Sequence, residues 1–163
     1  MKIDVQLSKK GIKKAIKELE KYRDSLYLKQ KLLVKRLGER GYRVMEEEIR
    51  SFPMPYSTGR ITRHIIVRVG DTYCTISNDS DHALYIEFGT GIVGAWSPYE
   101  NNTIGYEYDI NGHGYEGWYY YDKDEKRVRW TRGMPSRPFV HNTFIKLSSE
   151  VISIAKEVFG SDR

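Results

Sequence analysis

The residues best suited to chemistry in this 163-residue chain are its histidines and the carboxylates near one of them. Asp79, Asp81 and His82 lie close together, and Glu87 follows on the next element. A metal site needs several such ligands to converge, yet the chain has neither an HExxH motif nor an EF-hand loop. Asx-rich turn chemistry explains the same residues. We therefore expect no metal, no cofactor and no catalytic residue. A small hydrolase that uses His82 and Glu87 remains a hypothesis beside the two functions given below.

Nucleophilic and nucleotide-binding chemistry have equally little support. Cys74 is the single cysteine, so it forms no internal disulfide, and in the run TYCTIS it fits a small apolar strand residue without a paired base. There is no GxSxG elbow to single out a serine. The Gly89-Thr90-Gly91 turn matches neither GxGxxG nor GxxxxGK[ST], and no helical period follows it. We interpret it as a tight turn.

The positive charge is concentrated at the N-terminus. The net charge is +5, but residues 1–50 carry +7 and the remainder carries −2. Lys9, Lys13 and Lys17 belong to a lysine-rich helix that could contact an anionic partner, and a nucleic-acid-binding module using the basic N-terminal helices is the alternative function. Interleaved Glu18 and Glu20 favour an ordinary solvated helix face. No apolar run is long enough to cross a bilayer, so no membrane partner is expected.

The elements that must position these residues begin with a helical region at 8–50. Ser8 is a candidate N-cap for a first helix with Ile12, Ile16 and Leu19 on one face, and a second helix follows Ser25. That second helix has an apolar face made of Leu26, Leu33, Leu37, Val44 and Met45. Its two glycines, Gly38 and Gly41, mark a bend or the close approach of another element.

Strand patterns follow. A sheet and turn are expected at 60–91, with a strand from about Ile61 to Val69 connected through Gly70-Asp71 to a second strand. A hairpin is expected at 118–131 and a C-terminal helix at 141–160, whose apolar face consists of Ile145, Val151 or Ile152, Ala155 and Phe159. The fold class is α+β, one antiparallel β-sheet packed by two N-terminal helices and one C-terminal helix, in a single domain spanning 1–163.

A tyrosine- and glycine-rich insertion at 92–117 interrupts this plan. Seven of the 13 tyrosines lie between Tyr99 and Tyr121. Tyrosine with glycine is typical of adaptable binding surfaces, because tyrosine provides contact area at low entropic cost. The open alternative is a flexible insertion whose rings cover neighbouring apolar surface. The candidate interaction surface consists of Tyr99, Tyr106, Tyr108 and Tyr115, together with Lys9, Lys13 and Lys17.

Three blocks of sequence occur in a characteristic order. They are PYSTGRI ending at Ile61, ALYIEFGTG ending at Gly91, and RGMPSRPF ending at Phe139 and followed by Asn142-Thr143. Together they resemble a phage tail-component family from the head and tail morphogenesis modules of long-tailed bacteriophages and prophages. The positions that carry the resemblance are Gly59, Glu87, Phe88, Gly89, Thr90, Gly91, Pro135, Arg137, Pro138 and Phe139.

The resemblance implies a non-enzymatic structural protein of the virion, acting as a neck, head-tail connector or tail-completion protein and assembled in the bacterial host cytoplasm. Its expected partners are other phage neck and tail proteins and copies of itself in an oligomeric ring, with DNA passing through the channel without sequence-specific binding. Within the blocks, we expect Gly59, Gly89 and Gly91 to permit turns, and Phe139 to anchor a loop. We expect Glu87 to accept hydrogen bonds from backbone or from an arginine, with Arg137 as the candidate partner.

Overall fold

A computed structural model of the chain describes residues 8–52, 58–97, 105–108, 116–122 and 125–160. Helix α1 spans Lys9–Ser51, 43 residues. Its N-cap is Ser8, whose side-chain oxygen accepts a hydrogen bond from the backbone N–H of Gly11. The expectation of two N-terminal helices separated near Ser25 is wrong, because Asp24 and Ser25 disfavour a helix interior only weakly and the flanking residues are good helix formers.

The two halves of α1 have different environments. The first buried residue of the helix is Val34, and the second half buries Val44, Met45 and Ile49. The apolar residues expected to form the buried face of the first half are exposed instead, as with Ile16 at 50%. The first half of α1 therefore projects from the packed part of the described structure, except near its end, where the Tyr27 hydroxyl donates to Asp71.

Two separate hairpins replace the single expected sheet. Helix α2 spans Thr58–Thr62, strand β1 spans Ile65–Val69 and strand β2 spans Cys74–Asn78, with β1 and β2 pairing antiparallel. The strand expected from Ile61 thus begins four residues later, and Gly59 lies in a helix and not in a turn that opens a strand. Ile61 is buried although it lies in α2 and not in a strand. A helical turn therefore buries this apolar side chain as well as a strand would.

Gly38 and Gly41 mark a close approach and leave α1 unbroken. A Cβ atom at Gly38 would lie 3.1 Å from Cγ1 of Val67, and one at Gly41 would overlap the side chain of Ile76. Both glycines are buried. The β1–β2 hairpin therefore lies directly on α1 where the helix has no side chains.

Two short helices flank the Gly-Thr-Gly turn. Helix α3 spans Ala83–Phe88 and helix α4 spans Gly91–Trp96. The expectations that no helix follows the turn and that 92–117 is entirely a loop are therefore wrong, because a six-residue helix is too short to show helical periodicity. Strands β3 (Trp118–Asp122) and β4 (Arg127–Thr131) form the second antiparallel hairpin, as predicted for 118–131.

Helix α5 spans Phe139–Gly160 and packs along the second half of α1. It begins two residues before the predicted start, and Phe139 is fully buried as expected. Ile145 (53%), Ile152 (67%) and Phe159 (41%) are exposed and Ala155 is only partly buried, so most of the predicted apolar face does not form the buried side of α5. The sequence of α5 is apolar on more than one side, so periodicity alone did not identify the side that packs. The buried core cluster consists of Met45, Ile49, Ile61, Ile65, Ala83, Ile86 and Phe139.

The fold is mixed helix and strand, in agreement with the predicted α+β class. Among the residues that the structure describes, no helix combines the length and apolar character needed to cross a membrane.

Candidate functional site

The most highly connected of the predicted motif residues is Glu87, at the end of α3. Its Oε2 atom accepts a 2.8 Å hydrogen bond from the backbone N–H of Val140, and its Oε1 atom accepts a 3.0 Å bond from that of His141. Both donors lie in the first turn of α5, whose N–H groups have no partner within the helix. Glu87 is only 6% exposed. Its carboxylate therefore caps α5 from a position 53 residues earlier in the chain.

Burial and hydrogen bonding act on this carboxyl in opposite directions. Desolvation raises the pKa of Glu87 above its ordinary value, and the two backbone N–H groups and the nearby His141 lower the pKa in part. Burial is the largest of these effects, so the pKa is raised overall.

Backbone and side-chain hydrogen bonds continue from Glu87 on both sides. Thr90 and Met134 form an isolated antiparallel bridge, with a 2.9 Å bond from the Thr90 N–H to the Met134 carbonyl. The Arg137 N–H donates to the Ile86 carbonyl at 2.8 Å, and the Ser136 hydroxyl donates to the Glu87 carbonyl at 2.7 Å. We call residues 86–91 and 132–141 together the motif junction. It joins the second and third sequence blocks into one hydrogen-bonded unit.

Two glycines make this close backbone approach possible. Gly89 (φ 83°) and Gly133 (φ 99°) have left-handed backbone conformations that favour glycine. A Cβ atom at Gly89 would lie 2.7 Å from the backbone nitrogen of Ser136, and one at Gly133 would overlap the backbone of Thr90. Gly89 therefore has the turn role expected of it, whereas Gly133, although it lies within the third block, was not singled out for such a role.

Two of the four candidate surface tyrosines pack against the motif junction. The rings of Phe88 and Tyr106 stack with centroids 4.8 Å apart, and the Tyr106 hydroxyl donates to the Gly89 carbonyl at 2.9 Å. Burial raises the pKa of Tyr106 to about 12. The Tyr108 carbonyl accepts a bond from the Gly91 N–H. These two tyrosines therefore support the junction from within the chain.

The other two candidate tyrosines, Tyr99 and Tyr115, lie outside the described residues. Lys9, Lys13 and Lys17 are exposed on the projecting half of α1. Tyr106 and Tyr108 adjoin Phe88 and Gly91 instead, so the lysines and the described tyrosines belong to different elements of the molecule.

Arg137 is not the partner of Glu87. No ion pair joins these two side chains, both of which the structure describes, because the start of α5 already occupies both carboxylate oxygens. Burial lowers the pKa of the Arg137 guanidinium below its ordinary value. Pro138 leads into α5, where its carbonyl accepts a bond from the Asn142 N–H. Pro135 lies between the Met134 bridge and the Ser136 hydrogen bond.

The remaining chemical candidates do not converge. His82 is exposed at the start of α3, and its side chain makes no capping hydrogen bond. His64 pairs with Asp79 at 2.9 Å on an exposed surface. Within the described ranges, no group of three or more His, Cys, Asp or Glu residues is arranged to hold a metal ion. Burial raises the pKa of the Cys74 thiol, which makes the thiolate less accessible.

Sequence reasoning missed Glu48, a carboxylate of α1 that is 5% exposed. It accepts a 3.0 Å hydrogen bond from the Asn142 side chain and forms an ion pair with Lys146, so it ties α1 to α5 beside the motif junction. The available signal was its spacing, because Glu48 falls among Val44, Met45 and Ile49 on the apolar face of α1.

Comparison of the chain with protein-family models, curated proteins and solved structures finds no match in any of the three.

Proposed function

We propose that the protein is a non-enzymatic structural component of a phage or prophage virion that acts at the head-tail joint, as a neck, connector or tail-completion protein. The observation that carries the proposal is the motif junction. The second and third blocks of the resemblance, separated by about 40 residues in the chain, meet in one hydrogen-bonded unit around Glu87.

The chemistry of that unit suits a scaffold. Both oxygens of Glu87 cap α5, Thr90 pairs with Met134, and Phe139 fills the core. These residues hold the start of α5 against α3. Glu87, which the sequence offers as a candidate for chemistry, accepts hydrogen bonds that hold the fold together.

The proposed assembly is a ring of identical subunits with an axial channel for DNA, formed in the host cytoplasm and retained in the virion. Contacts in such a ring are heterologous, so one surface of a subunit must complement a different surface of its neighbour. The projecting half of α1 and the exposed tyrosines of β3 are two unlike surfaces of the required kind. The other partners would be neck and tail proteins of the same phage.

Deletion of the gene from its phage or prophage tests this proposal. Negative-stain images of the lysate should show filled heads beside unjoined tails, and the wild-type gene supplied from a plasmid should restore complete particles. A matched plasmid encoding Gly89→Val, which breaks the motif junction, should fail to restore them. Complete infectious particles from the deletion strain would refute the proposal.

The exposed lysines on the projecting half of α1 favour one alternative, a nucleic-acid-binding module. Lys9, Lys13 and Lys17 are exposed there. If these lysines bind DNA phosphates, the logarithm of the binding constant should fall with the logarithm of salt concentration with a slope of several units. Replacing the three lysines by glutamine should then reduce that slope, and absence of binding at low salt would exclude the alternative.

A further inference from the structure

Residues 105–108 lie against the motif junction, and we call this four-residue segment the strap. Its first and third residues are exposed, whereas Tyr106 and Tyr108 are half-buried. The Tyr106 hydroxyl donates to the Gly89 carbonyl at 2.9 Å, and the Tyr108 carbonyl accepts a 2.8 Å hydrogen bond from the Gly91 N–H. Alternate side chains together with a main-chain hydrogen bond are the means by which proteins bind short peptide segments.

The strap lies on a surface where the chain has glycines in place of side chains. A Cβ atom at Gly94 would lie 2.9 Å from Cδ1 of the Tyr108 ring, so the ring packs where a side chain would otherwise be. Beside it, the Phe88 ring stacks on Tyr106 with the centroids 4.8 Å apart. We call four residues together the glycine surface: Phe88, Gly89, Gly91 and Gly94.

The strap is short and is joined to the rest of the described chain by two longer spans. A segment of four residues, two of them exposed, buries little area, and such segments open locally at a small fraction of the free energy of unfolding. The connecting spans are residues 98–104 and 109–115, and a span of seven residues reaches at most about 25 Å when extended. The strap can therefore leave its own glycine surface and reach that of an adjacent copy.

We propose that the glycine surface is a binding site for the strap of a second copy of the chain, and that the chain's own strap fills it in the isolated subunit. This inference deepens the proposed function, and rests on it, by naming one contact between subunits of the ring. The occupant follows from what already lies on the surface, because a second copy carries the same two tyrosines and the same backbone carbonyl. Each subunit gives its strap to one neighbour and receives one from the other, a head-to-tail exchange that can close a ring.

Effective concentration decides which strap binds. A strap on the same chain has an effective concentration of about 1 mM, whereas free subunits at about 10 μM offer their straps at about a hundredth of that value. The isolated chain therefore binds its own strap. In a ring, the strap of a neighbour is held at an effective concentration comparable with that of the chain's own strap, so the two arrangements are close in free energy. The strap thus keeps free subunits apart until a partner surface brings them together.

A peptide titration followed by NMR tests whether the glycine surface binds a strap. Replacing Tyr106 and Tyr108 by alanine empties the surface, and the Gly91 amide signal reports its occupancy because this N–H donates to the Tyr108 carbonyl. A synthetic peptide of residues 104–109 should return the Gly91 signal of the variant towards its wild-type position, with a Kd of about 0.1 mM. The wild type should bind the peptide about tenfold more weakly, because its own strap competes.

The control for this titration is the same peptide with alanine in place of both tyrosines, which should cause no shift. Circular dichroism should show that the variant chain is folded. Absence of a Gly91 shift with up to about 2 mM peptide would overturn the proposal. Equal affinity of the peptide for the wild type and the variant would also overturn it, since the chain's own strap would then not fill the site.

Mixing two variants tests whether the strap of a second copy reaches the surface. The isotope-labelled Tyr106→Ala, Tyr108→Ala chain keeps its glycine surface, and an unlabelled Phe88→Leu chain keeps its strap but lacks the ring that stacks on Tyr106. The Phe88→Leu chain should move the Gly91 signal of the labelled chain to the position that the peptide produces. A Phe88→Leu chain with alanine at both tyrosines is the matched control and should cause no shift. Peptide binding without binding of the Phe88→Leu chain would overturn the proposal.

Hydrogen exchange of the wild-type chain tests the opening of the strap without any variant. The Gly91 N–H, which donates to the strap, should have a protection factor at least about tenfold lower than that of the Val140 N–H, which donates to Glu87. Its exchange rate should also change little in dilute urea, because the strap opens without unfolding of the chain. Equal protection of the two amides, with both rates rising together in urea, would overturn the proposal.

The proposed function fails by a different observation. Complete particles from the deletion strain would refute the head-tail role even if the strap binds a second copy as described. Conversely, unjoined heads and tails together with a glycine surface that binds no strap would refute this contact and leave the head-tail role intact.

Discussion

Glu87 and Val140 are joined by a 2.8 Å hydrogen bond from the backbone N–H of Val140 to the carboxylate, which fixes where α5 begins. Replacing Glu87 by alanine leaves the N–H groups of Val140 and His141 without this acceptor. We expect the free energy of unfolding to fall by about 2 kcal/mol. Urea denaturation followed by circular dichroism measures it. Glu107→Ala, an exposed glutamate change, is the control and should stay within about 0.5 kcal/mol of wild type.

The pH dependence of stability should have opposite signs for two glutamates. The pKa of Glu87 is raised in the folded state, so the native chain holds its proton more tightly than the unfolded chain does. The stabilisation of wild type relative to Glu87→Gln should therefore decrease as the pH rises from about 4.5 through the folded pKa.

Glu150 behaves in the opposite way, because its hydrogen bonds to Arg40 (2.6 and 2.7 Å) lower its pKa. The stabilisation of wild type relative to Glu150→Gln should be complete above about pH 4.5 and should be lost as the pH falls through the folded pKa. Urea denaturation of the three proteins from about pH 3 to about pH 8 provides the comparison. Parallel curves for the two variants would contradict both assignments.

Glu48 and Lys146 should show a favourable coupling in a double-mutant cycle. Removing Lys146 alone leaves the buried carboxylate of Glu48 with less compensation, so Lys146→Met should destabilise the wild type more than it destabilises the Glu48→Met background. Lys156→Met, on an exposed position of the same helix, is the matched control and should show no coupling with Glu48→Met. Equal effects of Lys146→Met in the two backgrounds would show that the pair contributes nothing.

Gly41→Ala should destabilise the protein although alanine is the better helix former. A methyl group at this position would overlap Ile76 of the β1–β2 hairpin. Overpacking typically costs about 1 to 3 kcal/mol, which exceeds the ~1 kcal/mol gained in helix propensity. Thermal unfolding should show a lower Tm for Gly41→Ala and an unchanged one for Gly160→Ala, where the added methyl group meets open space. A raised Tm for Gly41→Ala would show that the end of the Ile76 side chain moves aside at less cost than the gain in helix propensity.

Local patterns predicted the elements well where neighbours in sequence are also neighbours in space. The β3–β4 hairpin follows from aromatic strands on either side of a charged turn, and the burial of Phe139 follows from its position between two prolines and a helix. The single sheet was wrong because turn chemistry specifies pairing within a hairpin and says nothing about pairing between hairpins. The exposure of Ile16 could not be predicted because periodicity identifies an apolar face without saying what covers it.

The sequence identified Glu87 as a residue of the candidate site but did not identify its hydrogen-bond donors. Glu87 was singled out as a hydrogen-bond acceptor with backbone or Arg137 as the donor, and only the structure distinguishes these, since the donors lie 53 and 54 residues away in the chain. Glu48 was missed because one carboxylate on an apolar helix face resembles a boundary residue until its partners on α5 are known.

The unbroken α1 also carries a small rotation near its centre over a long distance. The Tyr27 hydroxyl donates to Asp71 in the turn between β1 and β2, and from Tyr27 to Lys9 the helix extends about 27 Å, so a tilt of about 5° would displace the tip by about 2 Å. The close fit of Val67 and Ile76 against Gly38 and Gly41 therefore helps to determine the position of the N-terminal end of α1. Substitutions where the hairpin contacts α1 should therefore shift the position of the N-terminal end of the helix without changing any residue there.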